Sequence, residues 1–493
     1  MATVSTDPPG SPVTRAAYAL RWPALFVVLA AEVMDLVDAL ITSIAGPTIV
    51  ADLGGGESLI QWLGAGYTIA MAAGLLIGGR LGDRFGRRRA FLTGMAGFTL
   101  MSLVCTLAVN PEMLVASRVL QGLIGAVMLP QGLGLIKEMF EGEELAKAFG
   151  AFGPVMGLSA VGGPILAGFL VDADLFGLGW RSIFAINVPV GIAAFGAGLR
   201  LLPASRPDPR IRFELTSAAI AAASMVLLIF PLIQGQELDW PVWTFVMMAA
   251  GIAGFGLLAR VEIARDRKGL ITLVTPTLFR KRAFTGGMVA GMTLFGSLMG
   301  MSIVFTFLVQ FGLGFSPLKA GLAGIPQAAG MIIGFVGSQS LNTRLGGRRT
   351  MHIGELVALV GYVAFIVTLH IAGDGIDILA MAPALAVVGV GMGVTMAPFF
   401  DMVLAGVDES ESGSASGVLT SVQQLGGAFG IAVLGTTFLH ALADTGTGSA
   451  TSRVGAFREA AAVSVRVAGG MLVVTFLLTF LLPARAREES VGH

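Results

Sequence analysis

Fourteen stretches of this chain stay apolar for about 20 residues each, the length a helix needs to cross the hydrocarbon core of a bilayer. They cover 24–47, 58–80, 90–109, 112–135, 145–170, 183–202, 214–234, 241–262, 285–311, 318–341, 351–371, 376–400, 417–439 and 467–483. Only 13% of the 493 residues are charged and 55% are hydrophobic. A soluble domain carries about 25% charged residues, so lipid is the solvent this chain is written for. The first run is too long for a signal-peptide core and no small-residue cleavage site follows it, so it reads as an uncleaved span. The expected fold is an all-α integral membrane protein.

Charge placement tests the span count. If residues 1–23 lie in the cytoplasm, the even-numbered connections and both tails are cytoplasmic. All but six of the 31 Lys and Arg residues then fall on that side or at the abutting helix ends. Five fall outside (Arg181, Lys319, Arg453, Arg458, Arg466) and Arg118 lies within a span. Adding or dropping one helix would reverse every later loop and destroy this bias, which follows the positive-inside rule. A multi-pass protein of the plasma membrane with both termini cytoplasmic is expected. Residues 440–466 read as a longer outer loop rich in Ala, Ser and Thr.

A faint internal repeat adds to this. Gly347-Arg348-Arg349 follows the tenth run much as Gly86-Arg87-Arg88 follows the second, at an offset of 261 that also carries the first span onto the ninth. Arg344 then stands where Asp83 stands in the first copy. Two six-helix halves with an inserted pair predict these boundaries: tail 1–23, first bundle 24–202, helices 7 and 8 with their loops 203–284, second bundle 285–483, tail 484–493. Internal repeats packed around a midplane site are a transporter plan.

Net charge is zero, so no nucleic-acid partner is implied. The single cysteine, Cys105, forms no intramolecular disulfide or zinc cluster, and the four histidines are scattered. No Walker A loop, nucleophile–base pair or metal cluster is visible, so neither an enzyme nor a cofactor is expected. The expected partners are a small-molecule substrate, protons and the bilayer, with the chain acting as a monomer.

Four constellations carry chemistry. The turn 78–89, Gly-Gly-Arg-Leu-Gly-Asp-Arg-Phe-Gly-Arg-Arg-Arg, sets Asp83 among Arg80, Arg84, Arg87, Arg88 and Arg89. Its arginines could merely set topology. With Asp83 they could also lock two helix bundles through charge-assisted bonds, Gly79, Gly82 and Gly86 giving the close approach. In the fourth run, Arg118 and Gln121 share a helix face. An arginine within a span must face protein or water, so Arg118 either ties helices or lines a pathway. In the first run, Glu32, Asp35 and Asp38 are three apart and fit one third of the helix circumference. Three carboxylates there cannot all be ionised cheaply, which suits a proton carrier; pairing of Glu32 or Asp38 with Arg118 is the inert alternative. In the fifth run, the glycines and Pro154 and Pro164 predict a bent, closely packed helix and by themselves nothing more. Gln61, Trp62, Gln327, Gln423, Gln424 and Glu355 could face a cavity or serve as packing glue.

These residues resemble the major facilitator superfamily, and within it the fourteen-span drug:proton antiporters. Gly79-x-Leu81-Gly82-Asp83-Arg84-x-Gly86-Arg87-Arg88 resembles its loop 2–3 signature. Arg118 with Gln121-Gly122 and Gly125-Ala126 is similar to its fourth-span signature, whose arginine is associated with proton coupling. Gly163-Pro164 with Gly168 resembles the fifth-span antiporter signature, and Asp38 with Ala45 and Pro47 the first-span signature. Trp180-Arg181, Ile186-Asn187 and Pro189 resemble the approach to its sixth span. The first-span pattern departs at Leu40, Ser43 and Gly46, the fifth at Ser159 and Ala167. The resemblance implies a major facilitator fold of 14 transmembrane helices, with two six-helix bundles rocking about a central cavity. It implies proton-coupled export of amphipathic small molecules or drugs, cationic ones included. Asp35, Asp38, Glu32 and Arg118 would couple protons. Asp35, Asp38, Gln61, Trp62, Gln121, Gln327 and Gln423 would bind substrate. Gly79, Asp83, Arg84, Gly86, Arg87, Arg88, Gly163 and Pro164 would gate. An importer on the same fold and a non-transporting membrane sensor are the alternatives.

Overall fold

The structure, a computed structural model, describes residues 18–482 apart from 55, 141–143, 145–147, 149–158, 160–161, 164, 205–214, 239, 271, 405–406, 408–410 and 447–451. The described residues are helical, with no strand among them. The long helices are α1 (Arg21–Leu53), α2 (Gly56–Phe85), α3 (Arg87–Thr106), α4 (Pro111–Met139), α5 (Asn187–Leu201), α6 (Leu215–Glu237), α7 (Val242–Asp266), α8 (Arg282–Thr306), α9 (Ile325–Leu345), α10 (Gly347–Ile371), α11 (Ile378–Val403), α12 (Ser412–Gly446) and α13 (Arg453–Leu478). Eleven helical stretches among the described residues are long and apolar enough to cross a membrane. The expected first and second spans coincide with α1 and α2, and most of the fifth, including Pro164, lies outside the described residues.

The expected outer loop 440–466 is mostly helix. Its alanines favour the helical state, so α12 runs on to Gly446. α13 starts at Arg453, capped by the Ser452 side chain accepting from the Gly455 N–H. The repeat register also shifts. Gly86 (φ 94) breaks the chain between α2 and α3, and Gly346 (φ 82) between α9 and α10. Only glycine adopts these angles at no steric cost. Residues 86 and 346 are 260 apart, so the offset is 260, not 261, and Thr343 rather than Arg344 takes the place of Asp83.

Without a hydrophobic force between helices in lipid, small residues set the contacts. α2 and α4 cross on a ladder of glycines four apart. A Cβ on Gly78 would lie 2.0 Å from the Ala126 carbonyl oxygen, and one on Gly82 1.6 Å from the Gln131 Oε1. Gln131 fills the space Gly82 leaves and donates to the Gly78 carbonyl at 2.7 Å. Two buried apolar clusters form among α1–α5 and one among α8–α13. A smaller cluster joins them, with Ile69 and Ala72 of α2, Met225 and Ile229 of α6, and Leu425 and Ala428 of α12.

Candidate functional site

Five helices converge on one buried polar network. Arg118 of α4, 0% exposed, donates through Nη1 to the Asp38 Oδ2 of α1 and to the Gln121 Oε1 at 2.8 Å. Its Nε donates to the Leu63 carbonyl of α2 at 3.3 Å. The guanidinium carbon lies 4.3 Å from the Tyr67 ring centroid and 5.7 Å from that of Phe184, within cation–π range. Asp38 accepts on Oδ1 from the Asn187 Nδ2 of α5 at 2.7 Å. Asn187 and the Gln121 Nε2 also donate to Ser102 Oγ of α3, at 3.3 and 2.9 Å. Beside this network the Tyr67 hydroxyl donates to Asp35 Oδ1, and both side chains are buried.

The arrangement is one guanidinium facing two carboxylates. Arg118 balances one negative charge, and the ion pair with Asp38 uses it. A charge buried out of water must be paired or neutralised. Among the described residues Asp35 has the Tyr67 hydroxyl as a donor and no ion-pair partner, so the cluster sets two carboxylates against one guanidinium.

The other residues expected at the site are dispersed. Glu32 is half-buried one turn before Asp35, its carboxylate against Gly132 of α4. Trp62 stacks on Phe230 of α6 at 5.6 Å between centroids, and Phe230 in turn on Trp243 of α7. Gln327 and Gln423 are half-buried on α9 and α12. Gln424 reaches the Met71 sulfur of α2 at 3.5 Å, across the junction of the two helix groups. The Gln61 and Asp83 side chains lie outside the described residues.

The arginine turn engages three neighbours. Arg87 donates to the Gly134 carbonyl at 2.8 Å and stands 3.6 Å from Glu138, both on α4. Arg88 donates to the Leu199 carbonyl of α5, and Arg84 lies over the Phe85 ring. Arg80 reaches the segment after α7, donating to the carbonyls of Thr272 and Leu273. That segment continues onto the second helix group. The Thr275 N–H donates to Ser414 Oγ at 3.0 Å, Thr277 donates to Glu411, and Lys281 pairs with Glu411 at 2.5 Å. Residues 272–281 thus strap α2 to the start of α12. Gly79 faces Pro130 with room to spare, and Gly163 is buried.

The profile of the Major Facilitator Superfamily matches residues 27–431. The chain belongs to the major facilitator superfamily. It is 45% identical over 451 residues, 91% of this chain and 78% of the relative, to a probable actinorhodin transporter of Streptomyces coelicolor. It is 33% identical over 472 residues, 94% of this chain and 91% of the relative, to a puromycin resistance protein of Streptomyces alboniger. Among solved structures it is similar in fold to the human organic anion transporter MFSD10, with a TM-score of 0.60 at 15% identity, covering 93% of this chain and 99% of that one. This major facilitator protein is therefore a multi-pass secondary transporter, akin to antibiotic and drug exporters.

Sequence reasoning did not single out Tyr67, Ser102 or Phe184 for the site. Tyr67 had a signal, being one of three tyrosines in the chain and lying inside a run. Asn187, noticed only as part of a signature, is the amide that holds Asp38 from the far side. Ser102 and Phe184 carry no signal a single sequence could give.

Proposed function

We propose that this major facilitator protein is a fourteen-span, proton-coupled exporter of amphipathic small molecules. A proton and the substrate compete for Asp35 beside a permanent Asp38–Arg118 pair. The observation that carries the reading is the charge balance of the buried cluster, two carboxylates against one guanidinium. Asp38 is held from both sides, by Arg118 and by Asn187. Asp35 is the carboxylate free of a cation and therefore the one able to exchange a proton for a cationic or hydrogen-bonding substrate group. A site that holds one or the other, never both, exchanges them by competition.

The eleven apolar stretches, with α1, α2 and the fifth run, support fourteen spans, arranged as two six-helix bundles with α6 and α7 inserted. The positive-inside bias supports cytoplasmic termini in the plasma membrane. The relatives named for actinorhodin transport and puromycin resistance support an antibiotic-like organic substrate and outward flux. On this reading the Arg80 strap closes the cytoplasmic side while the site faces out. Inverted membrane vesicles supplied with actinorhodin or puromycin test the proposal. The expected result is accumulation under an imposed pH gradient that collapses with a protonophore. Accumulation that ignores the gradient, or that runs in the opposite direction, contradicts it.

A further inference from the structure

A second acid lies buried in the other half of the molecule. Glu355 of α10 is 0% exposed, and neither of its carboxyl oxygens has a hydrogen-bond partner. It sits eight residues into the helix, about 12 Å along it at 1.5 Å per residue. It shares the buried face of α10 with Met351, Gly354, Ala358 and Tyr362. α11 closes over that face at backbone distance: a Cβ on Gly391 would lie 2.3 Å from the Ala358 nitrogen, and one on Gly354 2.4 Å from the Thr395 hydroxyl.

The internal repeat says what this position needs for packing alone. At the offset of 260 fixed by Gly86 and Gly346, Glu355 corresponds to Met95 of α3, which is 0% exposed in the first core. A methionine of similar length fills that place in one half. The other half carries an acid there that packing does not require.

Among the described residues nothing charged pairs with it. The other ionisable groups of α8, α9 and α11 are Arg282, Arg344 and Asp401, each within four residues of a helix end. α13 keeps its four between Arg453 and Arg466, whereas His352, one turn from Glu355, meets Phe476 and Thr479. On α10 itself Tyr362 is bonded to Ser297 at 3.1 Å. His352, one turn nearer the arginine-bearing end, is half-exposed, with Nε2 2.8 Å from Thr479 Oγ1. Arg348 and Arg349 mark that end, and His370 lies at the far one. An ionised carboxylate in such a place has neither a counter-ion nor a donor. Among the described residues no three His, Cys, Asp or Glu side chains cluster to hold a metal ion. The ligand the site can take is a proton.

We propose that Glu355 is a second proton-binding site of this transporter, loaded in the conformation seen here and exchanging through the His352 end of α10. The inference rests on the proton-coupled reading for its use in transport, but its protonation is measured without transport. The experiment is infrared difference spectroscopy of the purified full-length protein in lipid nanodiscs during a pH titration, comparing wild type, Glu355→Gln, Glu355→Met and Asp35→Asn. The expected result is a protonated-carboxyl stretch at neutral pH that both Glu355 variants lack and Asp35→Asn keeps. Should Glu355→Gln fold poorly, Glu355→Met makes the same comparison with the residue the repeat uses. In proteoliposomes with actinorhodin, the Glu355 variants should lose at least tenfold of gradient-driven accumulation and hold gradient-free exchange within twofold. A carboxyl stretch that is the same in wild type and both variants overturns the proposal, and so does gradient-driven accumulation within twofold of wild type. Failure of Asp35→Asn to uncouple, with Glu355 behaving as stated, counts against the first site alone.

Discussion

The buried Asp38–Arg118 pair makes a quantitative prediction. Asp38→Asn removes the counter-ion of a guanidinium that is wholly buried and leaves it only neutral acceptors among the described residues, the Gln121 and Leu63 oxygens and the substituted amide. Arg118→Met removes the guanidinium and leaves Asp38 with the Asn187 amide but no positive charge. Breaking one member of a buried pair costs about 3–5 kcal/mol, because an uncompensated charge stays behind. The double variant leaves no buried charge, so its cost should fall below the sum of the singles. The expected coupling is about 2–3 kcal/mol, at the upper end for residues in direct contact. Reversible unfolding of the four proteins in mild detergent, read by tryptophan fluorescence, completes the cycle. Singles that add to within about 0.5 kcal/mol would show that the two groups do not interact. The charge balance on which the transport proposal stands would then be wrong.

Three further outcomes follow from the same geometry. Arg80→Ala removes both bonds to the 272–273 carbonyls, and hydrogen bonds from a charged donor contribute about 1.5–3 kcal/mol each; a cysteine placed at Ser414 should then label severalfold faster from the cytoplasmic side, and an unchanged rate removes the strap from the gate. Gly82→Leu drives a side chain into Gln131 and displaces it from Gly78, so the variant should unfold at distinctly lower temperature than wild type, while equal melting would mean α2 and α4 do not cross here. Asp52, at the end of α1 and past the apolar run 24–47, is held below the usual carboxylate value, first by the Trp180 indole and then by Arg181. A lowered folded-state value means its stabilisation is complete above the ordinary range, about pH 4, and drains as pH falls through the lowered value. The melting difference between wild type and Asp52→Asn should be full at about pH 6 and shrink as pH falls below about 4; a gap that stays constant as pH falls would contradict the assignment.

Much of this molecule is legible in its sequence because lipid leaves few choices. Backbone groups in hydrocarbon must bond internally, so an apolar run of about 20 residues can only be a helix. An arginine amid such a run can only be sheltered. Arg118, Gln121 and Asp38 were found that way, and they meet. The three acids of α1 were read from spacing as one stripe, but spacing cannot say which of them finds a partner. Asp38 reaches Arg118, Asp35 reaches Tyr67, and Glu32 lies against α4 beside Gly132. Tyr67, Ser102 and Asn187 depend on which helices adjoin, and that is fixed by glycine contacts spread over the chain. The end of α12 and the start of α13 were misread because Ala, Ser and Thr look like loop to a hydropathy argument, whereas alanine is the best helix former. The one-residue shift of the repeat has a similar origin. Matching letters cannot choose between Gly346 and Gly347, but the positive φ of Gly346 does.

The central claim is that one exchangeable proton on Asp35 drives the transporter. The most direct measurement is the number of protons moved per actinorhodin molecule in proteoliposomes, wild type against Asp35→Asn, with pH and substrate followed together. The account predicts that Asp35→Asn still exchanges actinorhodin down its own gradient but moves no proton with it and cannot concentrate it against one. Undiminished proton movement and uphill transport by Asp35→Asn would contradict it.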